Sequence, residues 1–125
     1  DNKLPAVVRP KAAAIGPLIQ DTFGAAYKSG VKIAFGTDAG VSPHGANGKE
    51  FRFMVEAGMP VIEAIQSATV NAADLLNVED ELGQIAPGFH ADIVAFNENP
   101  LEDVRVLERP DFVMKAGAVF RHDGE

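Results

Sequence analysis

The chain has no cysteine, which excludes both a disulfide framework and a thiolate metal site. It also lacks any apolar run near the ~20 residues that a membrane span needs. Basic residues are sparse: eleven Lys and Arg face eighteen Asp and Glu, for a net charge of -7. They are scattered along the chain, so no nucleic-acid surface is expected. The first residue is Asp1 rather than methionine, so processing or truncation is expected to have removed the natural start. None of these absences selects a compartment. What remains is ordinary globular composition, 46% hydrophobic and 23% charged over 125 residues, enough for one small domain.

The stretch Val31-Lys32-Ile33-Ala34-Phe35-Gly36-Thr37-Asp38-Ala39-Gly40 organises the reading. Val31 to Phe35 is an apolar run with Lys32 as its single charge, the pattern of a buried strand. Asp38 falls just past its carboxyl end, where α/β folds collect ligands and catalytic groups. Taken alone, an aspartate after Gly-Thr is more often a cap or turn residue. The sharper reading is a metal ligand and general base.

Ahead of the run, Ile15, Leu18, Ile19, Phe23, Ala26 and Tyr27 follow i, i+3, i+4, i+8, i+11 and i+12, one face of a helix spanning 5 to 29. Pro17 interrupts it, and Gly30 sits where a helix stops. A helix feeding directly into a strand is half of a βα repeat. The loop from Ala39 to Gly48 is polar and glycine-rich, a candidate active-site loop. His44 within it either touches a ligand or is a plain turn histidine, the commoner case. Asn47 is expected to cap a helix from Lys49 to Ala57, with Glu50 in its first turn. Met59-Pro60 opens another helix with Ile62, Ile65, Ala68 and Thr69 inward, and Asn71 is expected to cap a short helix from Ala72 to Leu76.

Near Glu79 the character changes. Leu82 to Ile85 and Ala91 to Phe96 read as strands, and Phe112 to Lys115 with Val119 to Arg121 read as a hairpin around Ala116-Gly117. Asp92 reads as a structural hydrogen-bonding carboxylate, and His90 and His122 as surface residues.

In order and spacing, these pieces resemble the C-terminal part of the metal-dependent amidohydrolase superfamily, and most of all its imidazolonepropionase-like and Xaa-Pro or Xaa-Arg dipeptidase branch. The stretch Gly30 to Gly40 resembles the last barrel strand of that family. Pro43-His44-Gly45-Ala46-Asn47 and Glu50-Phe51 resemble the loop and helix after it. Met54 to Pro60, Glu63-Ala64-Ile65, Ala68-Thr69 and Asn71-Ala72-Ala73 resemble its closing helices. Leu82 to Ile85, Pro87-Gly88, Ala91 to Val94, Asn99-Pro100-Leu101 and Val113 to Gly117 resemble its tail strands. Each motif is weak by itself; the order carries the resemblance.

The resemblance implies an α/β architecture: a (β/α)8 barrel, followed by a small composite β-sandwich built from both chain ends. Residues 1–78 would be the end of the barrel and residues 79–125 the C-terminal strands of the sandwich. A complete barrel takes about 250 residues, so a longer parent protein is implied. The family's metal ligands are an HxH pair, a carboxylated lysine or glutamate, and two further histidines. None can be placed on His44, His90 and His122. Only the last-strand aspartate is matched, by Asp38. The resemblance makes Asp38 a ligand of one or two divalent ions, zinc being expected, and the acceptor of a proton from water. The remaining ligands would lie outside this chain. His44 is placed near the substrate.

The implied activity is hydrolysis of an amide-type C–N bond, in a dipeptide or in a cyclic amide. The implied partners are a small-molecule or dipeptide substrate, the rest of the barrel, and further copies in a homo-oligomer, with no nucleic acid and no membrane. The other reading is a non-catalytic module that keeps the shape without the chemistry. Either way, the isolated chain carries an unpaired barrel seam. Sedimentation of the 125 residues expressed alone is expected to show association. A monomer with a cooperative melt would contradict the seam.

Overall fold

The computed structural model describes residues 7–40 and 44–123. Val41, Ser42 and Pro43 of the expected active-site loop, and the first residues of the expected helix at 5 to 29, lie outside the described residues. The order of elements is α1 (Arg9–Lys28), α2 (Lys49–Glu56), α3 (Val61–Ser67), α4 (Val70–Leu75), β1 (Ile93–Ala95), a 3-10 helix (Val104–Glu108), β2 (Phe112–Lys115) and β3 (Ala118–His122). No helix among the described residues is long and apolar enough to cross a membrane.

The core sits where three helices converge on the run 31–37. Met54, Met59 and Ala64 are buried, and Phe23, Tyr27, Ile33, Phe35, Phe51 and Val55 pack against them. Burying a methionine side chain stabilises by roughly 1.5–3 kcal/mol, so the two methionines anchor the cluster. Phe35 and Phe51 stack tilted, with ring centroids 4.5 Å apart. Helix α1 approaches α2 closely because Gly24 has no side chain: a Cβ there would stand 2.9 Å from the Ala57 carbonyl oxygen. The Tyr27 hydroxyl donates to Glu63 at 2.9 Å, tying α1 to α3. That bond, a small burial effect and the Glu63 charge push the Tyr27 phenol above its usual range.

The expected helix face on α1 is only half used. Phe23 and Tyr27 reach the core, whereas Ile15, Leu18 and Ile19 are exposed. The helical period is as expected; what differs is that nothing among the described residues covers its first half. Similarly, α3 does not bury the face expected for it. Ile62 is 50% exposed, while Ala64 and Ser67 are fully buried. Small side chains go inward because α3 crowds against the run 31–37.

Several cap and strand expectations are corrected. Gly48, not Asn47, stands at the N-terminus of α2, without a side-chain cap. Pro60 precedes α3 rather than opening it. Helix α4 begins at Val70, so Asn71 lies inside it. Both asparagines spend their amides on the run 31–37 instead. Val31 to Phe35 carries no strand ladder, because a parallel strand needs neighbours from other βα units and the described residues offer none. Leu82 to Ile85 forms turns rather than a strand. The described C-terminal residues form one three-stranded antiparallel sheet in the order β1-β2-β3.

In that sheet Ile93 faces Met114 and Ala95 faces Phe112. Phe112 faces His122 and Lys115 faces Ala118, with a bulge at Val113/Met114. The hairpin turns through Ala116 (φ 49) and Gly117 (φ 80), two successive left-handed residues, as tight two-residue hairpin turns require. The sheet region meets the helices at the 3-10 helix. Leu107 is buried there, and a Cβ on Gly48 would stand 2.6 Å from the Leu107 carbonyl oxygen. Arg52 adds a longer contact, 3.8 Å to Glu108.

Asp92 has the structural role expected for it. Its carboxylate accepts from the Lys115 ammonium and from the Ala116 backbone N–H at 2.8 Å, so it braces the hairpin turn. These two bonds, Lys115 first, hold its carboxyl below the usual aspartate range. A depressed carboxyl stabilises the fold above its unfolded-state value and loses that contribution as pH falls through the folded value. In the intact parent protein, melting temperature against pH is therefore expected to fall below about pH 3.9, the ordinary aspartate value. Asp92→Asn should flatten that part of the curve. An unchanged acid slope would show that the brace contributes nothing.

Candidate functional site

The site is built on the run's carboxyl end. Two bonds hold the run from one flank. The Phe35 N–H donates to the Ser67 carbonyl at 2.9 Å, and Asn71 Nδ2 donates to the Ile33 carbonyl at 3.1 Å. In an extended backbone, groups two residues apart point to the same side. The α3–α4 corner thus satisfies part of what a neighbouring strand would otherwise satisfy. Lys32 adds an exposed ion pair to Asp74 at 2.7 Å, of a kind worth at most about 1 kcal/mol.

Past Phe35 the chain reaches Thr37, whose hydroxyl oxygen accepts from Asn47 Nδ2 at 2.8 Å. Asp38 follows with φ 44, in the left-handed region that non-glycine residues occupy uncommonly, with Asp and Asn enriched among those that do. It is exposed, and among the described residues nothing hydrogen-bonds or pairs with its carboxylate. His44 is also exposed, in a turn. Asp38 and His44 are thus both exposed, on either side of the segment that lies outside the described residues. His90 is exposed beside Glu81, 3.5 Å away, and His122 stands edge-on to Phe112. Neither joins the loop.

Beside the run lies an open cavity of about 440 Å³, lined by Phe23, Ile33, Phe35, Glu50, Met54 and Asn71 among others. Asp38 and His44 do not line it. Glu50 projects there from the first turn of α2, and burial pushes its carboxyl above the usual range. Helix-dipole complementarity was the only role the sequence suggested for Glu50; its placement beside the run depends on packing between distant segments. The amide-to-backbone roles of Asn47 and Asn71 were equally hidden, since asparagine before or within a short helix reads first as a cap.

Among the described residues, no group of three or more His, Cys, Asp or Glu side chains converges to hold a metal ion. A tetrahedral site takes four ligands, at least three of them from protein. One unpartnered carboxylate suits a single ligand position, but these residues by themselves do not fit a resident ion.

Residues 18–120 match the amidohydrolase family model. The chain belongs to the amidohydrolase family. It is 58% identical to a Xaa-Pro dipeptidase whose crystal structure has methionine bound in the active site, with a TM-score of 0.87 over 97% of this chain and 30% of that one. Ochratoxinase of Aspergillus niger is 42% identical over 104 residues, 79% of this chain and 21% of that protein. Adenine deaminase 4 of Rhizobium meliloti is 30% identical over 122 residues, 91% of this chain and 19% of that protein. This amidohydrolase chain thus spans about a fifth of the curated relatives it matches and under a third of the solved structure.

The left-handed backbone at Asp38 separates its backbone role from its chemistry. Asp38→Asn keeps a side chain that tolerates this conformation and should leave stability within about 0.5 kcal/mol. Asp38→Val forces a β-branched residue into it and should cost roughly 1–2 kcal/mol. Denaturant melts of the two variants in the intact parent protein stripped of metal by chelator check this, and equal stabilities would contradict it.

Proposed function

We propose that this chain is the C-terminal part of a metal-dependent amidohydrolase that hydrolyses the C–N bond of a dipeptide of Xaa-Pro or Xaa-Arg type. The single observation that carries the reading is the 58% identity to a Xaa-Pro dipeptidase over 97% of this chain. In this reading residues 1–78 close the barrel and residues 79–125 contribute strands to a second, composite domain. The upstream barrel is the chain's necessary partner, and the assembled protein is a homo-oligomer.

Asp38 is the catalytic carboxylate in this proposal. Among the described residues it has no partner, and it stands at the end of the run, so it is available both as one metal ligand and as a proton carrier. One or two divalent ions, zinc in this reading, would supply Lewis acidity when bound, with their other ligands coming from outside this chain. Asp38 takes a proton from the attacking water at a carboxylate oxygen and delivers it to the leaving amine. His44, on the same loop, contacts the substrate. A second reading, hydrolysis at a heterocyclic carbon including the opening of a cyclic amide, draws support from the similarity to adenine deaminase 4.

A screen of the intact parent protein with Xaa-Pro and Xaa-Arg dipeptides beside cyclic amides separates the two readings. Asp38→Asn is expected to lower kcat on the preferred substrate by at least about 10²-fold, the usual share of a general base. Unchanged turnover would remove Asp38 from the chemistry and, with it, the hydrolase reading of this loop.

A further inference from the structure

Among the described residues, a side-chain bond ties the backbone just before Asp38 to Asn47. Asn47 Nδ2 donates to Thr37 Oγ1 at 2.8 Å, across ten residues of sequence. The two ends of this bond are anchored differently. Asn47 immediately precedes Gly48, the residue at the N-terminus of α2, and Gly48 packs so closely on the 3-10 helix that a Cβ would meet Leu107 and Glu108 backbone atoms at 2.6 and 2.8 Å. Thr37 is two residues past Phe35, whose N–H is held by Ser67, and has no ladder of its own. The bond therefore passes the rigidity of α2 to the backbone just before Asp38.

That backbone needs holding. Asp38 sits at φ 44, a conformation that persists in a non-glycine residue only where its surroundings over-determine it. Its carboxylate bonds to no described group, so within this chain its direction is set by the backbone, and Thr37 is its immediate neighbour.

We propose that Asn47 is a positioning residue: its amide pins Thr37 and thereby fixes the left-handed turn that aims the Asp38 carboxylate. The proposal rests on Asp38 being the proton-handling group. Asn47 acts through Thr37 and touches no reacting atom.

The test is a double-mutant cycle in the intact parent protein, with Asn47→Ala, Thr37→Val and the double variant. Each single change is expected to lower kcat about ten-fold or more, as small misplacements of reacting groups do. KM should stay within about two-fold, since substrate contacts are untouched. The double variant should be no slower than the worse single, because both remove one bond. Thr37→Ser, which keeps the acceptor oxygen, should recover most of what Thr37→Val loses. Losses that multiply in the double variant, a change confined to KM, or no recovery in Thr37→Ser would overturn the proposal while leaving the role of Asp38 intact. Full activity in Asp38→Asn would overturn both.

Discussion

A run of apolar backbone that brings no strand partner with it must still place its N–H and C=O groups, because buried, unpaired backbone is costly. Here the placement of Val31 to Thr37 depends on the α3–α4 corner. Ser67 supplies an acceptor for Phe35, and Asn71 supplies a donor for Ile33. Ser67 is fully buried, and its own hydroxyl is occupied by the Ala64 carbonyl at 2.6 Å. The core of Met54, Met59 and Ala64 forms against the run held in this way. The Asp38 turn follows from the same constraint, since the backbone that enters it is already fixed at Phe35.

The unsatisfied surfaces are as informative as the core. Ile15, Leu18 and Ile19 on α1, Val31 on the run, Ile85 in the turns and Phe120 on β3 are all large, apolar and exposed. Single exposed hydrophobics are normal, but these occur on every layer of the molecule. A chain that covers 30% of a similar solved structure is expected to leave such faces for the remainder to cover. The helices and sheet are nevertheless linked within this chain, through Leu107, the close approach at Gly48 and Arg52.

Local chemistry was legible in the sequence, and long-range pairing was not. The stop at Gly30 was readable because left-handed glycine ends helices, and its φ is positive. The hairpin around Ala116-Gly117 and the bracing carboxylate of Asp92 were readable for the same local reasons. Val31 to Phe35 reads as a strand from its apolar, β-branched residues, yet strand identity belongs to a pair, and its partners are not among the described residues. Asn47 and Asn71 were misplaced as caps because their acceptors lie 10 and 38 residues away, beyond any local pattern. Asp38 and His44 were singled out by position in a motif, and both are exposed. The carboxylate of Glu50 beside the run gave no local signal beyond its place in a first helical turn.

The central claim is that this chain completes a larger, metal-holding barrel by adding Asp38 to ligands from elsewhere. The most direct measurement is the mass of the native protein that contains this sequence, taken together with its metal content by elemental analysis. The account predicts a polypeptide roughly three times the 13.2 kDa of this chain, as a complete barrel with a second domain requires, holding one or two divalent ions per molecule. A native species of 13.2 kDa without metal would contradict it, because one carboxylate cannot hold an ion or run the hydrolysis by itself.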